Sequence, residues 1–257
     1  MPVALDLYYH SYLGGDLDAP PVVLLHGAGG NHLYWPPEVR RLAGHRVFAL
    51  DLPGHGKSEG RGQQSVSAYA WQVLDWLQGL GMSEAIFIGH SLGSAIALTL
   101  AVMFPEHVTG LGLLGSGARL KVHPDILTDS ANPTTFHKAV DRIIAAAFSQ
   151  SADPRLVELA AKRMAETRPS VLHGDFAACN DFDLLERVDE ISQPTLVLCG
   201  SDDQLTPLRN SQFLAGAIPS ASLEVIPDAG HMVMLEKPKE VVIALEKFLA
   251  KFLTSQA

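Results

Sequence analysis

Cysteine is scarce in this chain: only Cys179 and Cys199 occur in 257 residues. They lie far apart and outside any C-x-x-C pair, so no disulfide framework holds a chain of this size. Cys199 ends the apolar run Thr195-Leu196-Val197-Leu198-Cys199 and reads as a small buried hydrophobe. This cysteine usage points to a cytoplasmic protein. Long hydrophobic runs are also missing, and none reaches the length of a membrane-spanning helix. The opening Met1-Pro2-Val3-Ala4-Leu5-Asp6 has neither the basic region nor the apolar stretch of a secretion signal. Positive charge is the minority: 19 Lys+Arg stand against 28 Asp+Glu, a net charge of −9. With no basic stripe, nucleic acid is not an expected partner, nor is an anionic membrane surface. There is no H-E-x-x-H motif or other ligand cluster, so no metal is expected and no cofactor is called for. Two glycine-rich stretches are look-alikes. Gly56-Lys57-Ser58 lacks the first glycine of a phosphate-binding loop, since position 51 is Asp51. Gly27-Ala28-Gly29 lacks the third glycine of a dinucleotide loop, since position 32 is His32.

What is present is a core-forming composition, with 47% apolar and 18% charged residues, which is that of a globular chain. Short aliphatic runs at 21–26, 46–50, 85–89, 110–115, 195–200 and 222–226 predict strands, several of them covered on both faces. Helical patterns fall between them at 67–79, 92–104 and 208–217. A last helix starts at Pro238 and carries Val241, Val242, Leu245, Phe248, Leu249 and Phe252 on one face. This alternation predicts an α/β fold, a mostly parallel central sheet flanked by helices. The alternation fails once. Residues 116–190 hold no convincing strand, while helices are predicted at 134–149, 153–167 and 169–180. The reading is a core of residues 1–115 and 191–257 with a helical cap inserted at 116–190.

The strand at 85–89 runs into Gly89-His90-Ser91-Leu92-Gly93, and a helix follows. A G-x-S-x-G sequence between strand and helix is the setting of an exposed nucleophile. The sharp turn strains the serine backbone, and glycines on both sides remove Cβ atoms that would collide. The helix N-terminus beneath Ser91 presents free N–H groups and a positive dipole end, which makes the Leu92 N–H an oxyanion donor.

A serine hydroxyl needs a general base. On such a turn the acid and then the histidine come later in the chain. His231 is the only histidine after His173, and it lies in a loop beyond a predicted strand. The acid should follow another strand end and hold the imidazole in one tautomer. Asp202 and Asp203 both follow the strand at 195–200, and the residues alone do not separate them. Asp228 is a third candidate, better suited to a turn.

These motifs resemble the α/β-hydrolase superfamily, in particular its small soluble esterase and lactonase-like members, over nearly all of the chain outside 116–190. His26-Gly27-Ala28-Gly29-Gly30 looks like the family's oxyanion loop, which implies Ala28 as a second N–H donor beside Leu92. The turn from Asp51 to Ser58 resembles a structural family motif. Gly200-Ser201-Asp202-Asp203-Gln204-Leu205-Thr206-Pro207 is similar to the family's acid loop, and its register selects Asp203. Gly230-His231 and Leu235-Glu236-Lys237-Pro238 resemble the histidine loop and the start of the final helix. Three departures stand out. The region before Pro21 is short for the family's antiparallel hairpin, Ser94 replaces a frequent glycine, and no acid follows the strand at 110–115.

The resemblance implies a serine hydrolase acting through an acyl-enzyme on Ser91, with water and a small ester-like molecule as its partners. A serine nucleophile argues against the members that use aspartate there. Carboxylic esters of small, mostly apolar substrates are favoured. Enol-lactones and C–C bonds are alternatives on the same triad, and a triad-bearing ligand receptor is an alternative of another class. Leu33, Tyr34, Trp35, Phe136, Phe148 and Phe176 are expected to line an apolar pocket. His90 beside the serine and Met232 beside the histidine are expected to touch substrate. Basic residues of the insertion, among them Arg119, Lys121, Arg142 and Arg168, are read mainly as solvated faces. A substrate carboxylate on any of them would move the reading toward a dicarboxylate lactone or a C–C hydrolase.

Overall fold

The aliphatic runs form strands because they can be buried on both faces once helices cover the sheet. The computed structural model describes residues 3–253. Its strands are β1 (Val3–Ala4), β2 (Leu7–Tyr12), β3 (Val22–Leu25), β4 (Val47–Leu50), β5 (Ala85–His90), β6 (Val108–Leu114), β7 (Thr195–Gly200) and β8 (Ala221–Ile226). They make one sheet in the order β1-β2-β4-β3-β5-β6-β7-β8. Pairing is parallel from β4 to β8 and antiparallel at β1–β2 and β2–β4. The short N-terminal region therefore still forms the hairpin. Its reduction is confined to β1, which is two residues long.

The core helices are α1 (Val66–Gly79), α2 (Leu92–Met103), α7 (Leu208–Ala217), α8 (Val233–Glu236) and α9 (Pro238–Leu249). Between β6 and β7 lie α3 (Pro124–Ala131), α4 (Phe136–Ala147), α5 (Pro154–Ala165) and α6 (Pro169–Asp181). α4 buries Phe136, Ala139, Val140, Ile143, Ile144 and Ala147, the i, i+3, i+4, i+7 spacing of one helical stripe. α3 was not expected. It buries only Ile126 and Ser130, too few apolar positions to show a period, and starts where His123 Nδ1 accepts from the Asp125 N–H at 3.2 Å.

The core has two layers of side chains, one on each face of the sheet. One packs α1 and α2 against β3, β5 and β6 around Trp76, Tyr69 and Phe87. The other packs α9 and the inserted helices around Trp35, Ile86 and Phe248. Both cysteines are buried and free. Among the described residues no helix is long and apolar enough to cross a membrane. Among the same residues no group of three or more His, Cys, Asp or Glu is placed to hold a metal ion.

Candidate active site

β3 lies between β4 and β5, so the chain winds outward in opposite directions from this point. The carboxyl ends of strands at such a switch point open a crevice. Four loops reach it, after β3, β5, β7 and β8. They carry Ala28, Ser91, Asp203 and His231.

Ser91 has φ 53° and ψ −115°, a conformation that costs a non-glycine residue roughly 1–3 kcal/mol. The surroundings enforce it. A Cβ at Gly89 would stand 2.2 Å from the Gly93 carbonyl carbon, and one at Gly93 would stand 2.0 Å from the Leu25 oxygen. The Ser91 N–H donates to the Leu114 carbonyl at 3.0 Å. Ser94, the departure from glycine, is used: its hydroxyl donates to the Gly89 carbonyl at 2.7 Å, with the Leu114 carbonyl at 3.1 Å. Behind it, every residue of α2 from Leu92 to Ala101 is buried.

The acid loop separates the three aspartates. Asp203 is buried, and its Oδ2 accepts from His231 Nδ1 at 2.8 Å. The Leu205 and Thr206 N–H groups donate to its Oδ1 at 2.9 and 2.8 Å, and the Thr206 hydroxyl donates to Oδ2 at 2.8 Å. Burial alone would raise the Asp203 pKa. The pairing with His231 and these hydrogen bonds outweigh it and hold the carboxyl below its ordinary range. Asp202 is exposed and accepts only from the neighbouring Ser201 hydroxyl. Asp228 sits in a turn with φ 51°. With Nδ1–H given to Asp203, His231 keeps Nε2 free to accept a proton.

His90 lies against His231, ring centroids 4.7 Å apart. Its Nε2–H donates to the His231 carbonyl at 3.0 Å. Burial, then the neighbouring His231, push its pKa down to about 3, so His90 is neutral and supports the histidine loop through its backbone.

The loop after β3 is held from two sides. His26 Nδ1–H donates to the Gly27 carbonyl at 2.8 Å, and its Nε2 accepts the Leu52 N–H at 3.0 Å. Burial first, and His55 next, lower its pKa to about 4. From the inserted helices, Asp175 Oδ2 accepts the Gly29 N–H at 2.9 Å, and the Thr167 hydroxyl donates to the Gly29 carbonyl at 3.0 Å. Asp175 is fully buried. It also accepts from His55 Nε2 at 2.8 Å and from the Tyr69 hydroxyl at 2.5 Å. His55 Nδ1 faces the Pro53 carbonyl at 3.0 Å, so both ring nitrogens donate and the ring is an imidazolium. Burial opposes that charge, but Asp175 overcomes it and raises the pKa above the ordinary value. The sequence reading missed this cluster. The signal was a lone carboxylate, Asp175, ahead of Phe176-Ala177-Ala178-Cys179, since an acid is rarely fully buried unless paired.

The inserted helices also hold the histidine loop. The Met232 N–H donates to the Ala147 carbonyl at 3.0 Å. Glu236 accepts the Gly230 and Ser149 N–H groups at 2.9 and 3.0 Å.

Two chambers meet at Ser91, and Ala28, Ser91, Ile143, Phe176, Leu205 and His231 line both. The inner one, of about 50 Å³, adds Tyr34, His90, Met164 and Met232. The outer one, of about 210 Å³, adds Leu120, Lys121, Ile126 and Asn210. Tyr34, Phe176, His90 and Met232 thus stand where the sequence placed them. Leu33, Trp35, Phe136 and Phe148 do not. Leu33 is 40% exposed and lines neither chamber, while Trp35, Phe136 and Phe148 are buried in the apolar layer around α9 and the inserted helices. Aromatics after β3 and at the ends of α4 divide between pocket and core according to which way the local backbone faces, and that is not encoded in their spacing.

Of the basic residues on the insertion, Arg119 pairs with Asp183, Arg142 pairs with Asp125, and Arg168 donates to the Gly54 and Gly60 carbonyls. Lys121 lines the outer chamber.

Comparison with known proteins agrees with this architecture. The model of the alpha/beta hydrolase fold family matches residues 20–238. A Pimeloyl-(acyl-carrier protein) methyl ester esterase from Serratia marcescens is 30% identical, over 95% of this chain and 98% of its own length. A solved thermophilic esterase is 36% identical with a TM-score of 0.81, covering 96% of this chain and 98% of that one. The enol-lactonase from Burkholderia xenovorans LB400 shares the fold at 24% identity, with a TM-score of 0.86 over 95% and 96% of the two chains. The chain belongs to the alpha/beta-hydrolase family, as a small, esterase-like member.

Proposed function

We propose that this protein hydrolyses carboxylic esters of small substrates through an acyl-enzyme on Ser91. The observation that carries the reading is the buried 2.8 Å contact of Asp203 with His231 Nδ1, which leaves Nε2 unclaimed by Asp203 while His231 lines one chamber with Ser91. His231 takes the Ser91 proton as Oγ attacks the ester carbonyl. The Ala28 and Leu92 N–H groups receive the oxyanion, and one such donor is worth about 3 kcal/mol of barrier. On collapse His231 returns the proton to the departing alkoxide, and water repeats the sequence on the acyl-serine. The inserted helices act as a cap that shapes both chambers. Chambers of about 210 and 50 Å³ fall below drug-sized pockets of roughly 300–1,000 Å³, which supports a small substrate.

The test is turnover of p-nitrophenyl butyrate by the protein and by Ser91→Ala. The expected loss is at least about 10⁴-fold in kcat, with an acyl adduct on Ser91 visible by mass spectrometry of the wild type. Undiminished turnover by Ser91→Ala would overturn the reading.

A further inference from the structure

The site continues outward. A third cavity, of about 480 Å³, shares Lys121, Gln204, Leu205 and Asn210 with the outer chamber. The chain carries 28 Asp+Glu against 19 Lys+Arg, yet among the described residues no carboxylate lines this cavity or either chamber. Three cations line the outermost cavity instead: Arg119, Lys121 and Arg209. Arg119 is committed to Asp183. Lys121 spends one Nζ donor on the Asn180 carbonyl at 2.8 Å, which leaves two of its three donors. Arg209 sits in the first turn of α7, and Pro207, Arg209 and Asn210 bring that positive helix end to the cavity wall.

The inner chamber has the opposite character. All its lining residues are buried except Ala28, Ser91 and Leu205. Its buried polar atoms without partners among the described residues, Tyr34 Oη and His90 Nδ1, belong to neutral groups. A charge placed there would be buried without a counter-ion and would lose its hydration uncompensated. Its volume accepts only a few water-sized groups. A charged end of a substrate is therefore directed outward.

We infer that the substrate is an ester with one short uncharged limb and one limb ending in a carboxylate. The short limb fills the inner chamber. The longer one passes Phe176 and Ile143 through the outer chamber, and its carboxylate meets Lys121, Arg209 and the Asn210 side chain. The inference rests on the ester-hydrolase reading and names its substrate class. The carboxylate sits either on the acyl side, as in a half-ester of a dicarboxylic acid, or on the alcohol side, as in an acylated hydroxy acid.

Two ester series separate these sources. One is monoethyl esters of dicarboxylic acids of increasing length, and the other is O-acetyl ω-hydroxy acids. Each ester is paired with the analogue in which a primary amide replaces the carboxylate, and hydrolysis is followed by proton release. One series should show an acid-over-amide preference in kcat/KM, with an optimum chain length. Exposed charges act modestly, so Lys121→Gln and Arg209→Gln should each lower that acid-to-amide ratio by about 2- to 5-fold. Raising salt from about 0.05 to 0.5 M should erode it. Equal rates for acid and amide in both series, with p-nitrophenyl butyrate still turned over, would overturn the inference and leave the ester reading standing. An unchanged ratio in both variants would overturn it as well. No turnover of any ester would sink both.

Discussion

Two neighbouring aspartates show how far a side chain's surroundings decide its chemistry. Asp203 and Asp202 are adjacent in sequence, but only Asp203 turns inward, to two backbone N–H groups, a threonine hydroxyl and His231. Asp203→Asn removes the group that holds the imidazole tautomer, and kcat should fall by about 10⁴-fold. Asp202→Asn removes one exposed contact and should stay within a few-fold of wild type in the same assay. The reverse order of effects would assign the acid to Asp202. Glycine at 93 is equally local in its logic. A methyl group there would meet the Leu25 oxygen at 2.0 Å, so Gly93→Ala should fail to give a cooperatively unfolding protein, as read by thermal melts.

The inserted helices act at the scale of the element. Through Asp175 and Thr167, α6 and the turn before it hold the Gly29 peptide next to Ala28. Asp175→Asn preserves the shape but leaves the His55 charge unbalanced and weakens the anchor. Misplacing a donor by about 1 Å can cost up to about 100-fold, so kcat should fall in that range with KM little changed. A predominant rise in KM would assign Asp175 to substrate binding instead. Asp175→Ala breaks a buried pair outright and should cost about 3–5 kcal/mol of stability. The same pair sets a pH dependence. The folded pKa of His55 lies above its unfolded value of about 6.5. The stability it contributes is therefore fully present below that value and is lost as pH rises through the folded pKa. The urea midpoint should decline toward alkaline pH in the wild type, and the decline should shrink in His55→Gln. Identical slopes for the two proteins would contradict the charged state of His55.

Over the whole molecule, the core was legible where one physical constraint dominates. The strand from Thr195 to Gly200 and the helix from Leu208 to Ala217 were read with their observed bounds, because apolar runs and breakers mark them. The Ser91, Asp203 and His231 of the proposed triad stand out in the sequence because each follows a strand end inside a dense local motif. What escaped was long-range. Helix α3 has too little buried surface to leave a period. Trp35 and Phe136 turn into the core, which depends on the path of the chain around them. Asp175 meets His55 across 120 residues of sequence. The inserted helices hold both the Gly29 loop and the His231 loop, and this bears on how such proteins can diverge. A segment that only covered a pocket could be exchanged between relatives as a module, changing substrate and sparing the chemistry. Here a transplanted segment would have to bring its own counterparts of Asp175, Thr167 and the Ala147 carbonyl. Selectivity and catalytic power are inherited together in this chain, and each step toward a new substrate has to be taken with the old hydrogen bonds still in place.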